Sequence, residues 1–206
     1  MKVAILGTGS VGQAIGRGLV RSRHEVRFGS RDPGKAKVPP GTTAGSLREV
    51  AQWADAVILA VPYHAVRETA RGAGPALVGG KVLIDATNPL SASTDLAVGF
   101  TTSGAEQIAE LFPGARIVKA FNSVFAANMS TGKLGTEPLT LFVAGDDPKA
   151  KDVAMRLGRD IGFDAVDAGP LRAARLLEPV GMHLIALGYG MKMGTGIGYR
   201  LIRKAP

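Results

Sequence analysis

The chain is 206 residues long, with 46% hydrophobic and 20% charged residues and a formal net charge of +8, which is typical of one globular domain with or without a small appendage. The absence of cysteine excludes disulfides, zinc–thiolate sites and thiol nucleophiles, and the three histidines are too far apart in sequence for metal-ligand spacing. The basic residues are scattered without interleaved aromatic side chains, which argues against nucleic-acid binding, and no apolar run reaches the roughly 18–20 residues of a membrane span.

Short apolar runs alternate with helix-like segments along the chain. The predicted strands lie at residues 2–6, 24–29, 56–61, 81–85, 116–120, 139–144 and 164–167. The predicted helices lie at residues 11–22, 46–53, 65–76, 105–112, 148–161 and 171–187, with a last helical turn at 198–204. This alternation predicts an α/β fold, a doubly wound parallel sheet with a small C-terminal helical lobe.

Two stretches between these elements are predicted to be loops. Prolines and glycines mark residues 33–41 as a turn region. Residues 86–103 are polar, contain glycine and are too long for a plain connection. Because parallel sheets bind ligands at the carboxyl ends of their strands, we expect this second stretch to lie near a ligand. A soft boundary near residue 136 separates a first domain, 1–136, from a small lobe, 137–206, packed on it.

A glycine-rich turn follows the first strand and opens the first helix. It consists of Gly7, Thr8, Gly9, Ser10, Val11 and Gly12, which fits the dinucleotide-binding pattern G-x-G-x-x-G in its required context. Gly7 permits the tight turn, Gly9 lets the backbone approach a pyrophosphate, and Gly12 lets helix and strand pack closely. Free N–H groups at the helix start then meet the phosphates. The turn predicts a Rossmann-type nucleotide domain; the alternative is a strand–helix turn without a ligand.

The end of the second strand indicates which dinucleotide binds. NAD enzymes usually place an acidic residue there to accept from the ribose 2′-hydroxyl, whereas this chain has Ser30 and Arg31. Both can donate to a 2′-phosphate, Arg31 through a planar group with several donors, and Lys35 can add a second positive charge. The interpretation is NADP(H), although Asp32 could take the carboxylate role if the strand ended two residues later.

The chain resembles the NADP-dependent oxidoreductases that use the deazaflavin coenzyme F-420, over nearly its full length. The matching segments are GTGSVG, GSRDP, AVPYHAV, VAGDDP, DAGPLRAARLLEP and MGTGIGYRL. The segment DAGPLRAARLLEP is the most specific, because nothing in a generic Rossmann fold requires it. The resemblance implies direct hydride transfer between NADP(H) and a flavin-like ring stacked on the nicotinamide.

The resemblance also implies roles for individual residues. Thr8–Val11 would hold the pyrophosphate, and Ser30, Arg31 and Lys35 would hold the 2′-phosphate. Pro62 and Tyr63 would lie by the nicotinamide. The second ring would be enclosed by Leu90, by the segment 122–126 with Asn122, Ser123 and Ala126, and by the tail around Ile197.

One departure from the family pattern concerns the acceptor. At residues 120–126 this chain has Ala-Phe-Asn-Ser-Val-Phe-Ala. The resembling segment of the deazaflavin enzymes has a pattern like Ala-Leu-His-Thr-Ile-Pro-Ala, so Asn122 replaces a histidine. Asparagine here is similar to the nucleotide domains of membrane metalloreductases, which pass hydride from NADPH to a flavin. The resemblance therefore specifies the donor better than the acceptor.

No residue is predicted to be catalytic in its own right, because two stacked cofactor rings carry the chemistry of hydride transfer and need mainly positioning. Lys119 and Asn122 match the Lys-x-x-Asn spacing of hydroxyacid dehydrogenases, but Lys119 ends a strand. Two alternatives stay open: an NADP(H)-binding sensor without turnover, and a dehydrogenase of small substrates, which would need a large helical substrate domain.

The expected ligands are small-molecule cofactors: NADP(H), and a flavin or deazaflavin. Metal, nucleic acid and membrane are not expected, and a homo-oligomer is possible. Because the first residues run directly into a strand, no signal peptide is predicted, and the expected location is the cytoplasm.

Overall fold

The computed structural model describes residues 1–77, 79–91 and 95–204. The strands are β1 (Lys2–Leu6), β2 (Glu25–Ser30), β3 (Thr43–Ser46), β4 (Ala56–Leu59), β5 (Val82–Asp85), β6 (Arg116–Lys119), β7 (Lys133–Leu134), β8 (Glu137–Pro138), β9 (Thr140–Gly145) and β10 (Asp164–Gly169). The α-helices are α1 (Ser10–Arg21), α2 (Leu47–Trp53), α3 (Val66–Ala73), α4 (Gly104–Leu111), α5 (Ala126–Met129), α6 (Pro148–Ile161) and α7 (Ala174–Ile185).

Eight of the described strands form one sheet in the order β10-β9-β6-β5-β4-β1-β2-β3. The pairs from β3 to β6 are parallel, for example with Ile5 opposite Phe28 and Ile58. The Rossmann-type α/β prediction is confirmed, because β1 lies between β4 and β2 and the strand order reverses there. Ligands of such sheets bind at this reversal, beyond the carboxyl ends of the strands.

The predicted parallel sheet contains one antiparallel pair, near the edge formed by β9 and β10. β9 runs antiparallel to β6, and β10 pairs parallel to β9. Between β6 and β9 the described chain has the one-turn helix α5 and the β7–β8 hairpin instead of a crossover helix. A parallel return needs such a crossover, so the chain re-enters the sheet in the opposite direction. The boundary near residue 136 stays a prediction, and the strands after it extend the same sheet.

The sheet divides the core into two layers. Alternate residues of β1 point to opposite faces: Val3 and Ile5 pack with α1 and α6, whereas Ala4 and Leu6 pack with α2 and α4. These β1 residues have no exposed surface, as expected for a parallel strand covered by helices on both faces. Across the described residues, no helix combines the length and apolar composition that crossing a bilayer would require.

Most predicted elements match the structure to within a few residues, but the short elements α5, β3, β7 and β8 were not predicted, and the last predicted helical turn was wrong. Strand β3 was not predicted, because its sequence, Thr-Ala-Gly-Ser, lacks the apolar or β-branched enrichment of a strand. Residues 198–204 have no regular secondary structure and do not form the predicted helical turn. The backbone N–H of Thr140 donates to the carbonyl of Tyr199 at 2.9 Å, and the N–H of Leu201 donates to Thr140 Oγ1 at 2.8 Å. These contacts with β9 replace helical hydrogen bonds.

Candidate cofactor site

The glycine turn after β1 depends on the absence of side chains at its first and last glycines. Gly7 has φ of +119°, and a Cβ there would lie 2.2 Å from the carbonyl oxygen of Ala60. A Cβ on Gly12 would lie 2.5 Å from the carbonyl oxygen of Gly7 and 3.1 Å from the Ile5 side chain. Larger residues at these two positions would therefore separate α1 from the sheet.

Gly9 serves a different purpose from the other two glycines. A Cβ on Gly9 would meet no described atom within 4 Å, so it would point into open space and not into the protein. Gly9 is also the residue before α1, where it gives the helix no side-chain cap, and the first turn, all of it described, has no acidic residue. The first N–H groups of α1 thus face an open space that a pyrophosphate would fit.

The glycine turn and the end of β2 open onto one cleft of about 240 Å³. It is lined by Gly7, Thr8, Gly9, Gly29, Ser30, Arg31, Leu47, Ala60, Val61, Pro62, Ala65, Glu68 and Thr69. The structure therefore brings Thr8 and Gly9 of the predicted pyrophosphate turn together with Ser30, Arg31 and Pro62, whereas the predicted residues Ser10, Val11 and Lys35 are not part of this lining. The lining combines backbone N–H groups and a guanidinium with apolar side chains, a combination that suits a dinucleotide phosphate.

The charged residues at the end of β2 already have partners. Arg31 Nη1 lies 2.8 Å from Glu68 Oε2, and both side chains are more than half exposed. Lys35 Nζ lies 3.0 Å from Asp32 Oδ2 and is also exposed. Ser30 Oγ accepts from the N–H of Asp32 at 3.1 Å. Asp32 therefore closes its own turn and pairs with Lys35.

Tyr63 faces away from this cleft, although it directly follows Pro62. Its hydroxyl donates to Gln107 Oε1 at 2.5 Å, and its ring lines a second cleft of about 560 Å³ between α3 and α4. Burial raises the pKa of the Tyr63 phenol, and the Glu178 carboxylate adds to the rise, so Tyr63 stays a neutral hydrogen-bond donor at physiological pH. Its place beside a nicotinamide stays a prediction.

Asn122 is buried beneath helix α7. Its Nδ2 donates to the carbonyl of Leu177 at 2.7 Å and to Asn88 Oδ1 at 3.3 Å, and Asn88 Nδ2 donates to the Asn122 carbonyl at 3.0 Å. A Cβ on Gly181 would lie 2.7–2.8 Å from atoms of this asparagine pair. Asn122 thus fastens α7 to the loops after β5 and β6, a contact that the sequence did not predict.

The remaining residues predicted for the second ring occupy neighbouring loops. Ser123 is buried, Ala126 begins α5, and Leu90 forms an isolated bridge with Leu96. The tail is held by Asn128, whose Nδ2 donates to the carbonyls of Thr195 at 3.0 Å and Ile197 at 3.1 Å. Part of the predicted loop 86–103, residues 92–94, lies outside the described residues. The roles of these residues toward a ring stay predictions.

A fully buried ion network lies at the carboxyl ends of β5 and β6. Lys119 Nζ lies 2.8 Å from Asp85 Oδ2, 3.0 Å from Glu178 Oε1 and 2.7 Å from the Thr87 carbonyl oxygen. Burial alone would lower the pKa of Lys119, but the carboxylates of Asp85 and Glu178 outweigh it and raise the pKa. The three donors of the ammonium group all have acceptors, so Lys119 is a charged structural residue.

The second carboxylate of this network also caps a helix. Glu178 accepts from the N–H groups of Gly104 at 2.8 Å and Ala105 at 3.0 Å, at the start of α4. The positive end of α4 offsets the surplus negative charge that two carboxylates leave beside one lysine. The network therefore joins β5, β6, α4 and α7 beside the candidate site.

The buried ion network and the Arg31–Glu68 pair were not predicted from the sequence, and the sequence signals for their residues differ. Asp85 and Lys119 end neighbouring strands and are register partners, so pairing charges at the ends of two apolar strands could have suggested their contact. Glu68 and Glu178 gave no comparable signal. Each reaches its partner from a helix distant in sequence, and spacing along the chain does not encode that contact.

Comparison with known proteins agrees with this fold. The family model of NADP oxidoreductases dependent on coenzyme F-420 matches residues 2–89. The crystal structure of a proposed F-420-dependent NADP-reductase from Arthrobacter sp. FB24 is 31% identical, has a TM-score of 0.89 and covers 98% of this chain and 100% of its own. The hypothetical protein SMa0349 from Sinorhizobium meliloti is 29% identical, with a TM-score of 0.73 and coverage of 84% and 87%.

A curated relative adds a second group. Metalloreductase STEAP3 of Rattus norvegicus is 30% identical over 185 residues, which are 89% of this chain and 37% of the relative. The chain thus spans little more than a third of the length of that metalloreductase.

The fold and the cleft, taken with these relatives, define an NADP-dependent oxidoreductase of the Rossmann type. The chain belongs to the coenzyme F-420-dependent NADP oxidoreductase family.

Proposed function

We propose that this protein transfers a hydride between NADP(H) and a flavin or deazaflavin ring, with coenzyme F-420 as the deazaflavin. The observation that carries the proposal is the single cleft that unites the open Gly9 turn with Arg31 and Ser30. This combination of a backbone anion site and a guanidinium suits a pyrophosphate and a 2′-phosphate. When bound, NADPH supplies the hydride and the second ring accepts it, with a proton from water.

In this proposal the chain holds and orients the donor at two ends. The N–H groups of Ser10 and Val11 bind the pyrophosphate, and Arg31 and Ser30 bind the 2′-phosphate, with Lys35 adding charge nearby. Pro62, whose ring lines the same cleft, limits the space beside the nicotinamide. Tyr63 follows it as a neutral side chain.

The acceptor in this proposal lies against the loops at the carboxyl edge of β5 and β6. Its surroundings are formed by Leu90, Ser123, Ala126 and Ile197. The position of Ile197 is fixed by the hydrogen bond from Asn128 Nδ2 to the Ile197 carbonyl. Asn122 acts by position, because its amide already binds Leu177 and Asn88. The family model favours the deazaflavin, and a flavin stays the alternative acceptor because Asn122 stands where the deazaflavin pattern has a histidine.

The proposal assigns no acid or base to the protein. Lys119, the strongest candidate, has no exposed surface and uses all three of its donors within the protein. Positioning two rings face to face supplies most of what hydride transfer needs, because the rings themselves carry the electronic change.

A spectrophotometric assay tests the proposal by following NADPH oxidation with deazaflavin, FMN, FAD or no acceptor. We expect faster oxidation with at least one ring acceptor than in enzyme-free buffer, and no oxidation without an acceptor. Which acceptor is fastest separates the deazaflavin assignment from the flavin assignment. If the protein binds NADPH but accelerates none of these reactions, the reductase proposal fails and a non-catalytic NADP(H) binder accounts for the cleft.

A further inference from the structure

The guanidinium assigned to the 2′-phosphate is held by a carboxylate in the same cleft. Arg31 Nη1 and Glu68 Oε2 are 2.8 Å apart, with side chains 71% and 58% exposed. Glu68 belongs to the first turn of α3, whereas Arg31 directly follows β2. Both residues line the cleft that also contains Gly9 and Ser30. An incoming 2′-phosphate would therefore meet the negative charge of Glu68, whose carboxylate already accepts from the guanidinium that the phosphate needs.

We propose that Glu68 is a specificity-determining residue that competes with the 2′-phosphate for Arg31 and so limits the preference for NADPH over NADH. This inference rests on the proposed function, specifically on NADP(H) as the nucleotide. NADPH must displace the Glu68 carboxylate from Arg31 or share the guanidinium with it, at the cost of repulsion between two anions. NADH has no 2′-phosphate and leaves the pair intact.

The position of Glu68 distinguishes it from the other acidic residue at this end of the cleft. Asp32 is in the turn after β2, pairs with Lys35 three residues later, and gives its N–H to Ser30 Oγ. Its charge is therefore offset within its own turn. Glu68 comes from a separate helix and has Arg31 as its ion-pair partner. Removing the charge of Glu68 therefore removes the ion pair and leaves the Arg31 guanidinium available to another anion.

The test substitution is Glu68→Gln, which keeps the side-chain length and removes the charge. We expect NADPH to bind about two- to fivefold more tightly at low salt, which is the range that exposed ion pairs support. The gain should shrink at high salt, because exposed charges are screened. NADH affinity should stay unchanged. Glu68 is exposed, so the variant should fold with the unfolding temperature of the wild type.

Equilibrium titration of the purified proteins with NADPH and NADH is the measurement, repeated with 2′-phospho-AMP and AMP to isolate the 2′-phosphate. Glu137→Gln is the matched control, since it removes the same charge from another exposed carboxylate, which pairs with Arg200. Tighter binding of NADPH and 2′-phospho-AMP in Glu68→Gln, without a change in AMP or in the control, supports the inference.

Two results overturn the inference. One is an NADPH dissociation constant that is unchanged or raised by Glu68→Gln, which would mean that Glu68 instead holds Arg31 ready for the phosphate. The other is an equal gain for NADH, or in Glu137→Gln, which would mean a general charge effect. Failure of the premise that NADP(H) is the nucleotide looks different, because wild-type protein would then show no preference for NADPH. Failure of hydride transfer alone would leave all of these binding results unchanged.

Discussion

At the scale of single residues, the three glycines of the turn have separate physical requirements. Gly7 and Gly12 are enclosed by backbone atoms, whereas Gly9 faces open space. Substitutions at these positions should therefore separate ligand binding from folding.

We predict that Gly9→Val abolishes NADPH binding while the protein stays folded. A Cβ at this position meets no described atom within 4 Å, so the new side chain would occupy the space of the pyrophosphate and not that of the protein core. Thermal unfolding with and without NADPH measures the effect, and Gly12→Val serves as the contrast, since its Cβ would lie 2.5 Å from the Gly7 carbonyl oxygen. Gly12→Val should lower the unfolding temperature of the free protein. A Gly9→Val protein that NADPH still stabilises would contradict the assigned turn.

A second residue-scale prediction concerns Arg31. Arg31→Ala should weaken NADPH binding by about 1.5–3 kcal/mol, the range for hydrogen bonds to charged groups, and leave NADH binding nearly unchanged. Stability should change little, because the ion pair with Glu68 is largely exposed. Titration with both nucleotides checks this prediction. Equal losses for the two nucleotides would remove Arg31 from the 2′-phosphate site.

At the scale of secondary-structure elements, the buried network of Lys119, Asp85 and Glu178 joins two strands to two helices. Charges buried this completely are costly unless each is paired and hydrogen-bonded. Here all three charged groups are paired and hydrogen-bonded, and the N–H groups at the start of α4 donate to Glu178. The network therefore keeps α7 against the sheet edge from which the candidate site is built.

We predict that Lys119→Met lowers the free energy of unfolding by about 3–5 kcal/mol at neutral pH, because two carboxylates would stay buried without their cation. Urea unfolding at neutral pH measures the loss, with Lys151→Met as the control, whose partner Asp167 is about half exposed. Equal effects of the two substitutions would contradict the role given to the buried network.

The pH dependence of the stability that the wild-type network contributes follows from the direction in which the pKa of Lys119 is shifted. The pKa of Lys119 is raised above its ordinary value of 10.5, so the ammonium binds its proton more tightly in the folded state. This stabilisation is fully present below the unfolded pKa and is lost only as pH rises through the folded pKa. We therefore expect no loss from Lys119 between pH 7 and 9 in urea unfolding. A fall in stability there that disappears in Lys119→Met would contradict this.

The elements also show what sequence patterns can and cannot predict. Continuous apolar runs predicted β1, β4 and β5, and the predicted helix 46–53 starts at the capping box that Ser46 and Glu49 form at α2. The segment 198–204 could not be predicted correctly, because its backbone is hydrogen-bonded to Thr140, which is distant in sequence. The glycine turn was recognisable because its chemistry is local, whereas the partner of Arg31 was not, since Glu68 comes from another element.

At the scale of the whole molecule, the net charge of +8 suits a protein whose proposed ligands are anionic. A positive surface attracts phosphorylated cofactors and raises their rate of encounter. The reversal of strand order beside β1 provides the cleft, and the antiparallel edge of β9 and β10 holds the C-terminal tail near the loops after β5 and β6. The proposed reaction needs both the cleft for the nucleotide and the loops and tail for the second ring.

The central claim is direct hydride transfer between two bound rings, and its most direct test is an anaerobic single turnover with NADPH deuterated at nicotinamide C4. The account predicts that deuterium appears on the ring carbon of a reduced deazaflavin, as measured by mass spectrometry, or that the label slows the reduction of FMN or FAD. Gly9→Val protein should transfer none. Reduction of no acceptor beyond the enzyme-free rate, or a reduced deazaflavin whose new carbon-bound hydrogen comes from water, would contradict the account.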